Sequence, residues 1–315
     1  MKIDRRGFLR GAVVASGGAL LGCGTDDPEA SKLTAGRPKA PANFGAYDSV
    51  SLGKTGITLS RTGLGTGMRG GRRQSNQTRL GKKKLEALLR GAHERGIRWF
   101  DMADLYGSHG YLLPALKGIR RDRYVIVSKI WWRRGGIPER ERPDADVVVR
   151  RFLKELGTDY IDLVLLHCVT SPDWPKQLRR QMDALAKLKA EGAIRAHGVS
   201  CHSLPALQAC ATEPWVDSVH TRINPYGVKM DGPAEKVAPV LRRIHEAGKG
   251  VVGMKLIGEG EFRDSDEMRD NAVRYVLGLG CVDTMVVGFE QAWEIDDFAA
   301  RVARVPRRAP APAST

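Results

Sequence analysis

From Leu64 onward, short apolar runs alternate with longer stretches in which apolar positions recur at helical spacing. Such alternation predicts a parallel sheet covered by helices. The strands are expected at Thr62–Gly65, Ile97–Asp101, Tyr124–Ser128, Asp162–Leu166, Arg195–Val199, Ser218–Arg222, Gly250–Met254 and Asp283–Val287. Between and after them run the helical patterns KKKLEALLRGAHERG, YLLPALKGI, DADVVVRRFLKELG, PKQLRRQMDALAKLKAEG, SLPALQAC, GPAEKVAPVLRRIHEAG, DSDEMRDNAVRYVLGLG and EQAWEIDDFAARVARV. Eight such pairs in about 250 residues fit one closed (β/α)8 TIM barrel, over residues 47–303, better than two domains. An open doubly wound sheet is the rival, but Gly63, Gly65 and Gly67 match its glycine fingerprint only loosely. In a barrel, polar residues at the C-terminal ends of the strands share one face.

The first residues read as an address. Arg5-Arg6 precede Phe8 and an uncharged small-residue stretch that ends in Leu20-Leu21-Gly22-Cys23. Residues 1–22 therefore resemble a twin-arginine signal peptide with a lipobox, and Cys23 is the expected lipidation site. Residues 23–46 read as a polar tether and 304–315 as a disordered tail. The expected location is extracytoplasmic, by way of the twin-arginine translocase, as a lipoprotein held to the membrane through Cys23 or free in the periplasm.

Charge changes the list of partners. The chain carries +15, and loss of residues 1–22 removes Lys2, Arg5, Arg6 and Arg10 with one acid, Asp4, leaving +12. That excess favours anionic lipid or acidic substrates, and nucleic acid is a poor partner for an exported lipoprotein. Cys168, Cys201, Cys210 and Cys281 show no CxxC spacing, so no disulfide scaffold and no metal are expected, although Cys168 and Cys201 stand beside His167 and His202 in sequence.

Four chemistry-bearing residues fall at the ends of consecutive strands: Asp101 and, five residues on, Tyr106; then Lys129; then His167. Carbonyl reduction creates an alkoxide that needs a proton, and a phenol with a pKa of about 10 is a slow donor at neutral pH. An ammonium about 4 Å away favours phenolate by roughly 4 kcal/mol before burial opposes it. Lys129 is suited to that task, Asp101 to keeping Lys129 charged, and His167 to orienting the carbonyl oxygen.

FDMADLYG, VSKI and LLH, in this order, resemble the aldo-keto reductase superfamily, and the likeness extends from Leu52 to Phe298 through SLGKTGITLSRTGLGTG, GAIRAHGVS and MVVGFE. The resemblance implies oxidoreductase chemistry that interconverts a small carbonyl compound and an alcohol with NAD or NADP. It makes Tyr106 the general acid/base, completed by Asp101, Lys129 and His167. It also places the cofactor at Thr66, Gly67, Ser200, Cys201, His220, Met254, Lys255, Gly288 and Glu294. Several of these depart from the family pattern. Cys201 and His220 stand where Asn and Gln usually hold the nicotinamide amide, Met254 stands in place of an aromatic, and Phe298 replaces an Asn. Glu294, with Glu290 and Asp297, makes the adenosine end acidic, so weak or no preference for NADP is expected.

MRGGRRQSNQTR after the first strand reads either as a flap over the cofactor diphosphate or as a surface turn. Trp131 and Trp132 are candidate walls for a substrate. Outside the cytoplasm, turnover needs a retained cofactor or a redox partner. The alternative is an exported barrel with a weakened cofactor site that serves as a binding or assembly subunit.

Overall fold

In the computed structural model, which describes residues 42–307, eight parallel strands close into a barrel. The chain opens with a hairpin of β1 (Ser49–Ser51) and β2 (Thr58–Ser60), followed by β3 (Thr62–Gly65), α1 (Asn76–Arg79) and α2 (Lys82–Arg95). β4 (Trp99–Asp101), α3 (His109–Ala115), β5 (Val125–Ile130) and α4 (Ala145–Leu156) follow. Next come β6 (Ile161–Val169), α5 (Trp174–Gln177), α6 (Arg179–Ala190), β7 (Ile194–Cys201) and α7 (Leu204–Thr212). β8 (Ser218–Arg222), α8 (Ala234–Glu246), β9 (Gly250–Met254), α9 (Asp266–Gly278), β10 (Thr284–Val287) and α10 (Ala292–Ala303) complete it. Each strand from β3 to β9 pairs with its successor, and β10 returns to β3.

Two apolar layers hold this arrangement. Successive strand residues face opposite sides, so one set packs against the helices and the other fills the barrel. Phe100, Ile126, Val164, Val199, Val219 and Val251 belong to the outer layer. Trp99, Val125, Val127, Leu163, Leu165, Ala196, Val252 and Val286 fill the inside, and the β1–β2 hairpin closes that layer with Leu52, Ile57 and Leu59. Gly63 is required by this filling: a Cβ there would stand 2.0 Å from the Trp99 indole.

Three sequence expectations need adjusting. The long helix expected from Pro175 is broken at Leu178 into α5 and α6, while Trp174 is buried with its indole N–H donating to Ala206 O at 3.2 Å. Before the first expected strand, the pattern of glycines and single apolar residues concealed a hairpin, β1 and β2, joined by six residues. The tether and tail also give up residues to the folded body. Phe44 N donates to Val305 O at 3.0 Å, Arg307 N to Ala42 O at 2.9 Å, and the Arg307 guanidinium meets Asp48 at 2.5 Å. The signal segment, Cys23, the rest of the tether and residues 308–315 lie outside the described residues. No helix among the described residues is long and apolar enough to cross a membrane.

One polar network ties α3 and α4 to the barrel. His109 Nδ1 meets Glu155 Oε2 at 2.6 Å, His109 Nε2 meets Ser128 Oγ at 2.8 Å, and Arg151 donates to Glu155 at 2.7 Å. Burial raises the Glu155 carboxyl, but His109 and Arg151 outweigh it and hold the group down at about 2. A depressed folded pKa gives stability that is complete above the ordinary value near 4.5 and is lost as pH falls toward 2. Glu155→Gln is therefore expected to melt below wild type at pH 7, with the gap in Tm closing as pH falls through that window.

Candidate active site

The alternation that fills the barrel also builds the site. Trp99 points inward from β4, so Asp101 does too; Val127 on β5 places Lys129 inward, and Leu165 on β6 places His167 inward. The inward ladder thus changes from apolar to ionisable within one step. Lys129 Nζ donates to Asp101 Oδ1 at 2.5 Å and to Met102 O at 3.1 Å, with Lys129 only 1% exposed. Tyr106 Oη lies 3.3 Å from His167 Nε2, and their rings meet edge to face. Lys129 Nζ stands 4.8 Å from the centroid of the Tyr106 ring.

Tyr106 reaches this position because its turn is clamped. It sits in a short helical turn, Asp104–Tyr106, whose Asp104 carboxylate accepts from Arg73 at 3.2 Å and from Arg151 at 2.5 and 3.1 Å. The loop after β3 lies against its ring, and a Cβ at Gly67 would come within 2.2 Å of it. Thr66 donates through its hydroxyl to Asp101 O at 2.8 Å and shares a 2.7 Å hydrogen bond with Ser108.

The electrostatics correct one expectation. Burial raises the Asp101 carboxyl, yet Lys129 and His220 together hold it below the ordinary carboxylate value. Burial pulls Lys129 down and Asp101 opposes that pull. The ammonium was expected to lower Tyr106, but burial, joined by the Asp101 charge, raises the phenol well above 10. Burial is the larger cause, and Lys129 is held by Asp101 2.5 Å away while it meets Tyr106 only through the ring. His167 is driven well below its ordinary value by burial and then by Lys129, His202, His220 and Lys255, so it is neutral at physiological pH.

A groove of about 380 Å³ leads from this centre to α10, lined by Gly67, Met68, Tyr106, Met254, Lys255 and Gly288 on the way to Glu294 and Phe298. Several expected cofactor residues lie along it, but others do not. Cys201 is a correction: Ser200 points inward, so its neighbour faces the helices, fully buried, with Sγ 3.5 Å from Cys210 Sγ. Ser200 Oγ accepts from Cys168 N at 2.9 Å. His220 is fully buried, and its Nε2 lies 3.4 Å from Asp101 Oδ1, so it supports the ion pair from below the groove. Asp297 is neutralised by Arg269 and Arg301, each at 2.8 Å. Glu294 accepts from the amides of Glu290 and Gln291 at 2.6 and 3.0 Å, which makes it a cap of α10 as well as an acidic wall.

Of the two tryptophans, Trp131 faces His167, with ring centroids 5.4 Å apart, while Trp132 donates to His167 O at 2.7 Å. The loop after β3 is fastened at both ends: Gln77 accepts from Met68 N at 3.1 Å and donates to Phe289 O at 3.2 Å. Gln77, Ser108, His109 and Arg222 were not singled out from sequence. Arg222 was accessible to the alternation rule, since it lies two residues beyond the inward His220; the others are isolated polar residues with no pattern around them.

The aldo/keto reductase family model matches residues 61–297. NADH-specific methylglyoxal reductase of Escherichia coli (strain K12) is 32% identical over 171 residues, 48% of this chain and 51% of that protein. Aldo-keto reductase YhdN of Bacillus subtilis (strain 168) is 32% identical over 204 residues, 61% of this chain and 58% of its own. The matches thus span between about half and three fifths of these curated relatives. A solved Pseudomonas aeruginosa structure, assigned as an aldo-keto reductase, is 27% identical, covering 83% of this chain and 96% of that one with a TM-score of 0.65. A Klebsiella pneumoniae aldo-keto reductase solved in complex with NADPH shares the fold at 21% identity and a TM-score of 0.59, over 81% of this chain and 90% of its own.

The ion pair makes a sharp energetic expectation. Lys129→Met leaves a buried carboxylate without its partner and is expected to cost roughly 3–5 kcal/mol in urea unfolding, whereas Lys129→Met with Asp101→Leu regains most of that loss.

Proposed function

Because the chain belongs to the aldo/keto reductase family, we propose that it reduces a small carbonyl compound to an alcohol with a nicotinamide dinucleotide, or runs the reverse oxidation. The observation that carries this reading is Tyr106 Oη, 3.3 Å from His167 Nε2 and above the Lys129–Asp101 pair, at the inner end of a long groove. The groove offers a dinucleotide cations for its diphosphate: Lys255, Arg263 and Arg269 line it, Lys255 being shared with Glu259 and Arg269 with Asp266 and Asp297. When bound there, reduced nicotinamide supplies the hydride.

The residues of this chain handle the proton. Tyr106 stays protonated through the physiological range and donates its phenolic proton to the carbonyl oxygen as charge develops on it. Lys129 then stabilises the phenolate left behind, and Asp101 keeps Lys129 charged despite its burial. Neutral His167 orients the carbonyl oxygen through Nε2. Trp131, packed edge-on to His167, excludes water from that side.

Cofactor choice follows from the far end of the groove. Glu290 and Glu294 line the site nearest the first turn of α10, and the amides of Glu290 and Gln291 are already taken by Glu294. A carboxylate about 5 Å from a ribose 2′-phosphate costs roughly 1–3 kcal/mol per unit of phosphate charge. The NADH-specific name of the Escherichia coli relative points the same way. We also read Arg5-Arg6 and Leu20–Cys23 as directing export and lipidation, so that the barrel works outside the cytoplasm with a retained cofactor or a redox partner.

Three measurements test these readings. Bound NADH should be oxidised by members of a carbonyl panel, and Tyr106→Phe should slow this by about 100-fold or more while retaining dinucleotide binding. A wild-type protein that binds neither dinucleotide would instead favour a binding or assembly subunit. Titrations should show NADH bound at least as tightly as NADPH, with Glu294→Gln narrowing the difference; a preference for NADPH of about 100-fold would contradict the acidic-wall argument. Cys23→Ala should move the protein from the membrane fraction to the soluble one.

A further inference from the structure

The mouth of the barrel beyond His167 is lined with cations. Immediately after His167 the backbone turns sharply: Cys168 has φ +64°, and its carbonyl oxygen and Sγ accept from Arg133 Nη1 at 3.4 and 3.3 Å. Among the described residues, no carboxylate lies within ion-pair distance of Arg133. On the adjoining strand end, His202 N donates to Val169 O at 2.8 Å, and the His202 ring lies 6.3 Å from that of His167. Arg222, inward at the end of β8, brings Nη2 against His202 Nδ1 and keeps its side chain 20% exposed.

The neighbouring carboxylates compensate this charge incompletely. Asp231 Oδ1 is 3.4 Å from Arg222 Nη1 without a hydrogen bond, and burial raises its carboxyl to about 6 despite the arginine. Glu259 is engaged with Lys255 at 2.6 Å. Burial, and then Arg222, Lys255, Arg133 and Lys129, push His202 down to about 3. Two guanidinium groups therefore approach consecutive strand ends beside the residue that faces the reacting carbonyl, and Trp131 packs edge-on against that residue's ring. A planar guanidinium matches a carboxylate in shape and charge.

We propose that this mouth is an anion subsite and that the substrate carries a carboxylate next to its carbonyl, a 2-oxo acid being the smallest case. This rests on the carbonyl-reductase reading above. The carboxylate is received by Arg133 and Arg222, which leaves the ketone oxygen between Tyr106 Oη and His167 Nε2. A hydride, which a bound reduced dinucleotide would supply, adds to the ketone carbon as the carbonyl π pair moves to oxygen, and that oxygen takes the Tyr106 proton. The carboxylate passes through unchanged, and the product is a 2-hydroxy acid.

Pyruvate and methyl pyruvate share a skeleton and differ in this charge. With the full chain and NADH, kcat/KM for pyruvate should exceed that for methyl pyruvate by about tenfold or more, as expected for a charged hydrogen-bonding partner. Arg133→Gln and, separately, Arg222→Gln should each lower that ratio by about tenfold, with Arg133→Lys and Arg222→Lys recovering part of it. A second readout needs no turnover: oxamate should quench tryptophan fluorescence in the wild type and do so more weakly in Arg133→Gln. Efficient, Tyr106-dependent reduction of methyl pyruvate with no advantage for pyruvate overturns this inference and leaves the reductase reading intact. Failure to reduce these compounds or any other member of the carbonyl panel, while oxamate binds and the arginine variants weaken it, overturns the reductase reading and supports the anion subsite. Absence of oxamate binding together with a ratio unmoved by the arginine variants overturns the subsite.

Discussion

A lysine and an aspartate, 2.5 Å apart inside a closed barrel, set the terms for the rest of the site. Neither charge is tolerable there alone, since burying one ion costs several kcal/mol unless a partner and further hydrogen bonds compensate it. The surroundings provide both. Met102 O accepts from Lys129, His220 lies beside Asp101, and the filled Trp99 layer below excludes water. The pair is neutral as a unit, and its influence on Tyr106 differs from that of a bare ammonium. It leaves the phenol protonated, while placing a cation 4.8 Å from the centroid of its ring.

The groove and the mouth divide the remaining work by charge. Along the groove, Lys255, Arg263 and Arg269 stand among carboxylates, with Glu290, Glu294 and Asp297 at the α10 end. Around His167 the balance is reversed, with Arg133 and Arg222 brought to the ends of β6 and β7. The family resemblance gives the reaction type, while these local charges distinguish this barrel within that type.

The strands were legible because a buried parallel strand is an apolar run and a covering helix is an amphipathic one. β3, β8 and β9 match their expected limits, and Asp101, Tyr106, Lys129 and His167 meet because a barrel brings strand ends together. What stayed hidden depended on side-chain direction or on long-range partners. Cys201 was placed by its neighbourhood in sequence, but strand alternation turns it into the outer core. The upward shift of Tyr106 could not be read from residue types, because it comes first from how deeply the ring is buried and then from its distance to the Asp101 charge. The pairing of residues 42–44 with 305–307 joins segments whose compositions suggested only tether and tail.

An ultraviolet difference titration, wild type minus Tyr106→Phe without added dinucleotide, isolates one phenol among the seven tyrosines and tests most directly whether the ion pair acts as a neutral unit. The account predicts that Tyr106 forms no phenolate until above about pH 10. A phenolate that appears between about pH 7 and 9 would show that Lys129 lowers the phenol as a free ammonium would, and would contradict it.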